Sequence, residues 1–162
     1  VERFQSKVSP EMIRQAAQKG LNVHQFVTFA SLVGKESGCA AEKPLIAAVF
    51  YNRLKKGMPL QSDPTAVYDL KNFKGKVMRS HYKRESPYNT YLIRGLPPGP
   101  IASPGLDSFQ AVLQPAAVDY LYFVSKGDGT HHFSSSLMAH NDATVRFRNM
   151  INRKEKVEET VR

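Results

Sequence analysis

A mixed α+β domain in which helices dominate is the fold class this 162-residue chain predicts. Three observations carry it. Apolar residues recur at helical spacing behind capping residues through the first third of the chain. The centre replaces that periodicity with turns rich in proline and glycine. One short aromatic and β-branched run, turned by Gly127-Asp128-Gly129, then precedes a single long helical pattern.

Each element has a local reason. Ser9 caps a first helix with Pro10 in its first turn, and Gly20 ends it. Asn22 and Gln25 form a capping box for the second. Its apolar positions are Val23, Phe26, Val27, Ala30 and Leu32 or Val33, and it runs through Glu36 to stop by Gly38. A third helix spans about Ala41 to Lys56, with Leu45, Ala48, Val49 and Tyr51 or Asn52 inward and Gly57 as its stop. Thr65 to Tyr68 fits a short strand or a helical turn, Lys71 to Arg84 an exposed basic excursion, and Thr90 to Ile93 a short strand. The three prolines between Gly95 and Pro100 exclude helix and central strand and stiffen an ordered loop. Ser103-Pro104-Gly105 starts a helix to Leu113, and Pro115 marks its exit. Tyr120 to Val124 is the clearest strand, His131 to Ser134 returns beside it, and a helix from Ser136 to Arg153 or beyond frays over residues 154–160.

Composition bounds the function. A hydrophobic content of 41% supports one core, so residues 1–162 are read as a single domain. No apolar run is long enough to cross a bilayer, and no secretory leader is visible. The net charge of +9 suits an acidic partner: nucleic acid, anionic lipid or an anionic polysaccharide. The basic residues are mostly scattered singly, not gathered into a stripe with stacking aromatics, which disfavours nucleic acid. Cys39 is the only cysteine, so no internal disulfide forms, and no histidine nearby in sequence would activate it as a nucleophile.

The chemistry points to Glu36, at the end of an apolar helix. A carboxyl group beside Leu32 and Val33 is raised in pKa by burial, and a neutral carboxyl near pH 7 can protonate a leaving oxygen. A solvated helix-end glutamate is the plainer alternative. Glu42, Asp63 and Glu85 are candidates for a second carboxylate, although the Asp63-Pro64-Thr65 run also suits an Asx-type turn. Of Asn52 and Arg53, one can face a cleft while the other pairs with an acid. Gln61 and Asn89 are candidate sugar partners because amides both donate and accept. Tyr88 and Tyr91 line a sugar-binding wall or fill the core. His131, His132 and His140 lack the spacing of a zinc site, and neither HExxH nor GxSxG occurs, so no metal and no cofactor is expected.

In order and spacing, ASLVGKES, FYNRLKKGMPLQSDPT, SPYNTYLIRGLPPGPIASPG, YLYFV and the HxF…HN ending resemble the catalytic domain of the MltG, or YceG-like, endolytic murein transglycosylases. The resemblance covers nearly the whole chain. It implies a helix-rich, lysozyme-like catalytic domain with a small β element and a long C-terminal helix. It implies cleavage of the bond between N-acetylmuramic acid and N-acetylglucosamine, leaving 1,6-anhydro ends, with Glu36 as general acid and base. Asn52, Gln61, Asp63, Tyr88 and Asn89 correspond to polar cleft positions. Where the family commonly has EKE, this chain has Gly34-Lys35-Glu36, so one carboxylate is absent. The implied partners are peptidoglycan strands and wall-synthesis enzymes. The implied location is the outer side of the bacterial cytoplasmic membrane, with the anchor and a LysM-like part outside this sequence. A lysozyme-like hydrolase and a non-catalytic peptidoglycan-binding domain are the alternatives.

Overall fold

The computed structural model describes the backbone of residues 8–161 and side chains as far as residue 153. Helix α1 (Pro10–Gln18) begins where Ser9 accepts a hydrogen bond from the Met12 amide, and Gly20 turns out of it in the left-handed region. Helix α2 (Val23–Glu36) opens on the full capping box: Asn22 accepts from the Gln25 amide, and the Gln25 side chain accepts from the Asn22 amide. A 3-10 turn (Ala40–Glu42) leads into α3 (Lys43–Lys55), so the third helix starts later than the sequence suggests. Pro44 is the reason: its ring suits a first helical turn and cannot occupy a helix interior.

The centre holds a 3-10 turn (Asp63–Ala66), the four-residue helix α4 (Arg79–Tyr82) and well-defined loops. Thr65 to Tyr68 thus resolves as a helical turn. The strand expected at Thr90 to Ile93 does not form. Asn89 folds that segment into turns instead: its carbonyl accepts from the Leu92 and Ile93 amides, and its side-chain oxygen from the Tyr91 amide. Helix α5 (Leu106–Leu113) follows, with Gly105 as its cap. Strands β1 (Tyr122–Ser125) and β2 (His131–Ser134) pair antiparallel, Tyr122 opposite Ser134 and Ser125 opposite His131. Helix α6 (Leu137–Val161) completes the chain. Its backbone is helical through 154–160, where the sequence suggested fraying; whether that stretch is surface lies outside the described side chains. The result is a helix-rich α+β fold with a two-stranded sheet and a long C-terminal helix.

Helix α2 is the centre of the core. Phe26, Phe29, Leu32 and Val33 have no exposed surface. Phe26 meets Phe109 of α5 with ring centroids 5.1 Å apart, and Phe29 meets Phe50 of α3 at 6.2 Å. Burying each such side chain is worth about 2–3 kcal/mol, so the helix that ends at Glu36 is held from three sides. Lys43 at the start of α3 binds Asp107 at the start of α5 (2.5 Å), fixing the two helices against each other beneath α2. Gly34 lets α5 approach: a Cβ there would lie 3.0 Å from Ser108 Oγ. That hydroxyl is buried and has no hydrogen-bond partner among the described residues.

The hairpin depends on Gly127. It sits at φ +80°, and a Cβ would fall 2.6 Å from Ile151 Cγ1 of α6. Gly127→Ala is therefore expected to destabilise the domain by about 1–3 kcal/mol through backbone strain and the clash with α6. Urea unfolding should show a lower midpoint at unchanged slope, whereas an unchanged midpoint would contradict this packing.

Candidate functional site

A cleft of about 430 Å³ opens where the C-terminal end of α2, the loop before the 3-10 turn, the hairpin and the start of α6 converge. Glu36, Gln61, Asp63, Tyr91, His131 and Asn141 lie along it, with apolar surface from Leu60, Phe123, Val124 and Leu137. No helix among the described residues is long and apolar enough to cross a membrane, and no three His, Cys, Asp or Glu side chains converge there as a metal site would require.

Glu36 is the last residue of α2. Its main chain is anchored by the buried turns before it, so the side chain projects from a rigid element. Desolvation by the surrounding protein pushes its pKa up to about 7, the Asp63 carboxylate adds to the rise, and a hydrogen bond donated by Ser62 Oγ to Oε1 opposes it. The net effect is a carboxyl group that exchanges its proton near neutrality.

Asp63 follows Ser62 in the chain and receives hydrogen bonds from two phenols, Tyr82 to Oδ2 (3.2 Å) and Tyr91 to Oδ1. The two rings stack with centroids 4.2 Å apart. Burial, followed by the Asp63 carboxylate, pushes the Tyr91 hydroxyl far above its ordinary range, so it stays a donor. Both Asp63 oxygens thus accept from phenols beside the carboxyl of Glu36.

Gln61 is exposed on the cleft wall with φ +54°, an unusual backbone for a non-glycine residue. Its conformation is fixed from both ends: its amide donates to Thr90 O (3.1 Å), and its side-chain oxygen accepts from Arg53 Nη1 (3.1 Å). Arg53 is buried and also donates to Leu121 O (2.7 Å) and Pro59 O (2.9 Å), with its guanidinium 5.1 Å from the Tyr122 ring centre. It pairs with no acid among its contacts; it laces the Gln61 loop to the hairpin.

Three sequence candidates stand elsewhere. Asn52 donates to Val118 O (3.0 Å) and Tyr120 O (2.9 Å), on the side of α3 away from the cleft. Neighbouring helix positions point about 100° apart, so Arg53 facing the cleft turns Asn52 from it. Asn89 is fully buried, and its amide donates to the carbonyls of His81, Tyr82 and Arg84. Tyr88 packs on Tyr68 at 4.7 Å and does not line the cleft. Thus the structure brings Glu36, Gln61 and Asp63 together, while Asn52, Tyr88 and Asn89 brace the loops around them. Sequence reasoning missed Ser62 and Tyr82 and weighed His131 only as a zinc ligand. Ser62 lies inside the QSDPT run, and His131 begins HxF, so the signal for both was in stretches singled out for other residues.

A raised carboxyl pKa carries a stability cost whose sign is fixed. Between the unfolded value near 4.5 and about 7, the folded state holds more protons at Glu36, so stability falls as pH rises through that interval. Glu36→Gln should raise the unfolding free energy at pH 8 by roughly 1–3 kcal/mol, after allowance for partial solvent access, and leave it nearly unchanged at pH 4. Denaturant curves at the two pH values measure this, and an equal effect at both would contradict a desolvated Glu36.

A family model described as the YceG-like family matches residues 1–146. An endolytic murein transglycosylase of Bacillus subtilis (strain 168) is 46% identical over 127 residues, covering 78% of this chain and 35% of the relative. One from Streptococcus pneumoniae (strain D39) is 40% identical over 116 residues, covering 66% of this chain and 20% of the relative. The 2.6 Å crystal structure of a yceG-like protein from Listeria monocytogenes has a TM-score of 0.75 and 41% identity, covering 82% of this chain and 43% of that one. The chain thus spans well under half the length of each of these relatives. The family match runs through α2, the Gln61–Asp63 loop, the hairpin and the start of α6, and with them the whole cleft, so the chain belongs to the YceG-like family.

Proposed function

We propose that this domain carries the chemistry of an endolytic murein transglycosylase, cutting peptidoglycan strands between N-acetylmuramic acid and N-acetylglucosamine and leaving 1,6-anhydro ends. The single observation that carries the reading is Glu36: a desolvated carboxyl with a pKa of about 7 in an open, polar-rimmed cleft. The names of the Bacillus and Streptococcus relatives support the reaction class.

The proposed steps balance on one residue. Protonated Glu36 gives its proton to the glycosidic oxygen as the bond from that oxygen to C1 of the muramyl sugar breaks. The Glu36 carboxylate then takes the proton of the muramyl 6-hydroxyl, whose oxygen bonds to C1. Glu36 returns to its starting form, and no water is consumed. Intramolecular attack supplies the effective concentration that a bound water would otherwise need. Asp63, whose two oxygens accept from the Tyr82 and Tyr91 hydroxyls, is the group assigned to stabilise positive charge developing at C1. Its charge also keeps Glu36 protonated to higher pH, so it serves both ends of the reaction. Gln61 offers an amide to the sugar from a backbone already fixed in place. The basic surface suits a glycan bearing carboxylated stem peptides. The substrate sets the location: outside the bacterial cytoplasmic membrane.

Mass analysis of products from purified glycan strands tests this. Wild-type protein should release fragments with 1,6-anhydromuramyl ends, and Glu36→Gln should lower cleavage by at least about 100-fold while remaining folded. Reducing ends would assign hydrolysis instead. Equal cleavage by Glu36→Gln would remove Glu36 from the reaction. The rate should fall on the alkaline side with an apparent pKa near 7, as the acid form of Glu36 is lost.

A further inference from the structure

The cleft contains a second organised pair that the proposed steps do not use. Glu42 lies six residues beyond Glu36, in the 3-10 turn before α3, and is buried. Its Oε1 accepts from the His131 main-chain amide (2.8 Å), its Oε2 meets His131 Nδ1 (2.8 Å), and Ser37 Oγ lies 3.3 Å from Oε2. Burial alone would raise the Glu42 pKa, but the His131 amide, the His131 ring and Ser37 together hold it below its ordinary value. An ionised carboxylate has no proton to give, so Nδ1 must carry the one in that contact. The His131 ring is further fixed edge-on to Phe123, with centroids 5.5 Å apart.

This leaves Nε2. It has no hydrogen-bond partner among the described residues, yet it is not among their sealed, partnerless polar atoms. The side chain is only 14% exposed, and His131 lines the same cleft as Glu36. We propose that His131 is a substrate-contacting residue of this cleft: with Nδ1–H held by Glu42, Nε2 of the neutral ring accepts a hydrogen bond from a hydroxyl of the bound sugar. Glu42 is then a positioning residue that acts through the histidine. A carboxylate behind an imidazole sets both its tautomer and its orientation, and the main-chain bond from the same carboxylate fixes where the ring starts. The contact joins the hairpin to the far end of the segment that follows Glu36.

This inference rests on the glycan-cleaving reading, and the experiment separates the two. Kinetics on purified glycan strands, with thermal melts, are compared for wild type, His131→Phe and Glu42→Gln. The glutamine amide can donate to Nδ1 and so move the ring proton to Nε2. Both folded variants should lose about 10- to 100-fold in kcat/KM, the size expected for one lost or reversed hydrogen bond to substrate. Imidazole ¹⁵N shifts should report the Nδ1–H tautomer in wild type and the Nε2–H tautomer in Glu42→Gln. In Glu36→Gln protein, whose Glu42–His131 pair is intact, added glycan strands should shift the Nε2 resonance. That arm decides the matter even if the other variants fail to fold. Cleavage by wild type with an unmoved Nε2 resonance, or with unchanged kcat/KM in the folded variants, overturns the role of His131 alone. No cleavage by wild type overturns the functional reading, and this inference with it.

Discussion

The structure depends on partly desolvating a carboxyl group at the end of a helix packed from three sides. Water would hold Glu36 ionised, and so would a neighbouring cation. The fold works against both at this point: the surrounding protein desolvates a group that still opens on the cleft, and its charged neighbour is the acid Asp63. Its place at the C-terminal end of α2, where unpaired carbonyls concentrate, disfavours a negative charge as well. A single hydroxyl, from Ser62, is the polar concession that orients it. The cost is acceptable because α2 is buried without a break from Thr28 to Val33, so the core can carry an ionisable group at its edge.

The second constraint is that the cleft is assembled from segments distant in sequence, and three of its junctions are side chains bonded to main-chain atoms. Arg53 binds Leu121 O and Pro59 O, Asn52 binds Val118 O and Tyr120 O, and Asn89 binds three carbonyls of the 81–84 segment. Each meets hydrogen-bonding groups that irregular backbone would otherwise bury unpaired. This explains how a centre with almost no regular structure presents Gln61 and Asp63 in a defined geometry. Polar residues next to a site can be there to build its walls, and Asn52 and Asn89 show this.

That distinction also separates what the sequence made legible from what it did not. Helix starts were readable because Ser9, Asn22 and Gln25 act on neighbours within one turn. The hairpin was readable because Gly127 and the alternating strands are likewise local. Glu36 was readable as a helix-end carboxyl behind an apolar run. Its pKa was not, because desolvation comes from the whole cleft and the opposing bond from Ser62, 26 positions away. The strand expected at Thr90 to Ile93 failed for a related reason. Its β-branched residues favour extended backbone, but the buried Asn89 beside them collects that segment into turns. Glu42 and His131 are 89 positions apart, so neither residue announced the other.

Titration of the Glu36 side-chain carboxyl by ¹³C NMR tests the central claim most directly, since it needs no substrate and no assumption about products. The carboxyl resonance should follow a midpoint near 7 in wild type. A midpoint at the ordinary glutamate value of about 4.3 would contradict a desolvated acid and remove the basis for its proposed part in catalysis.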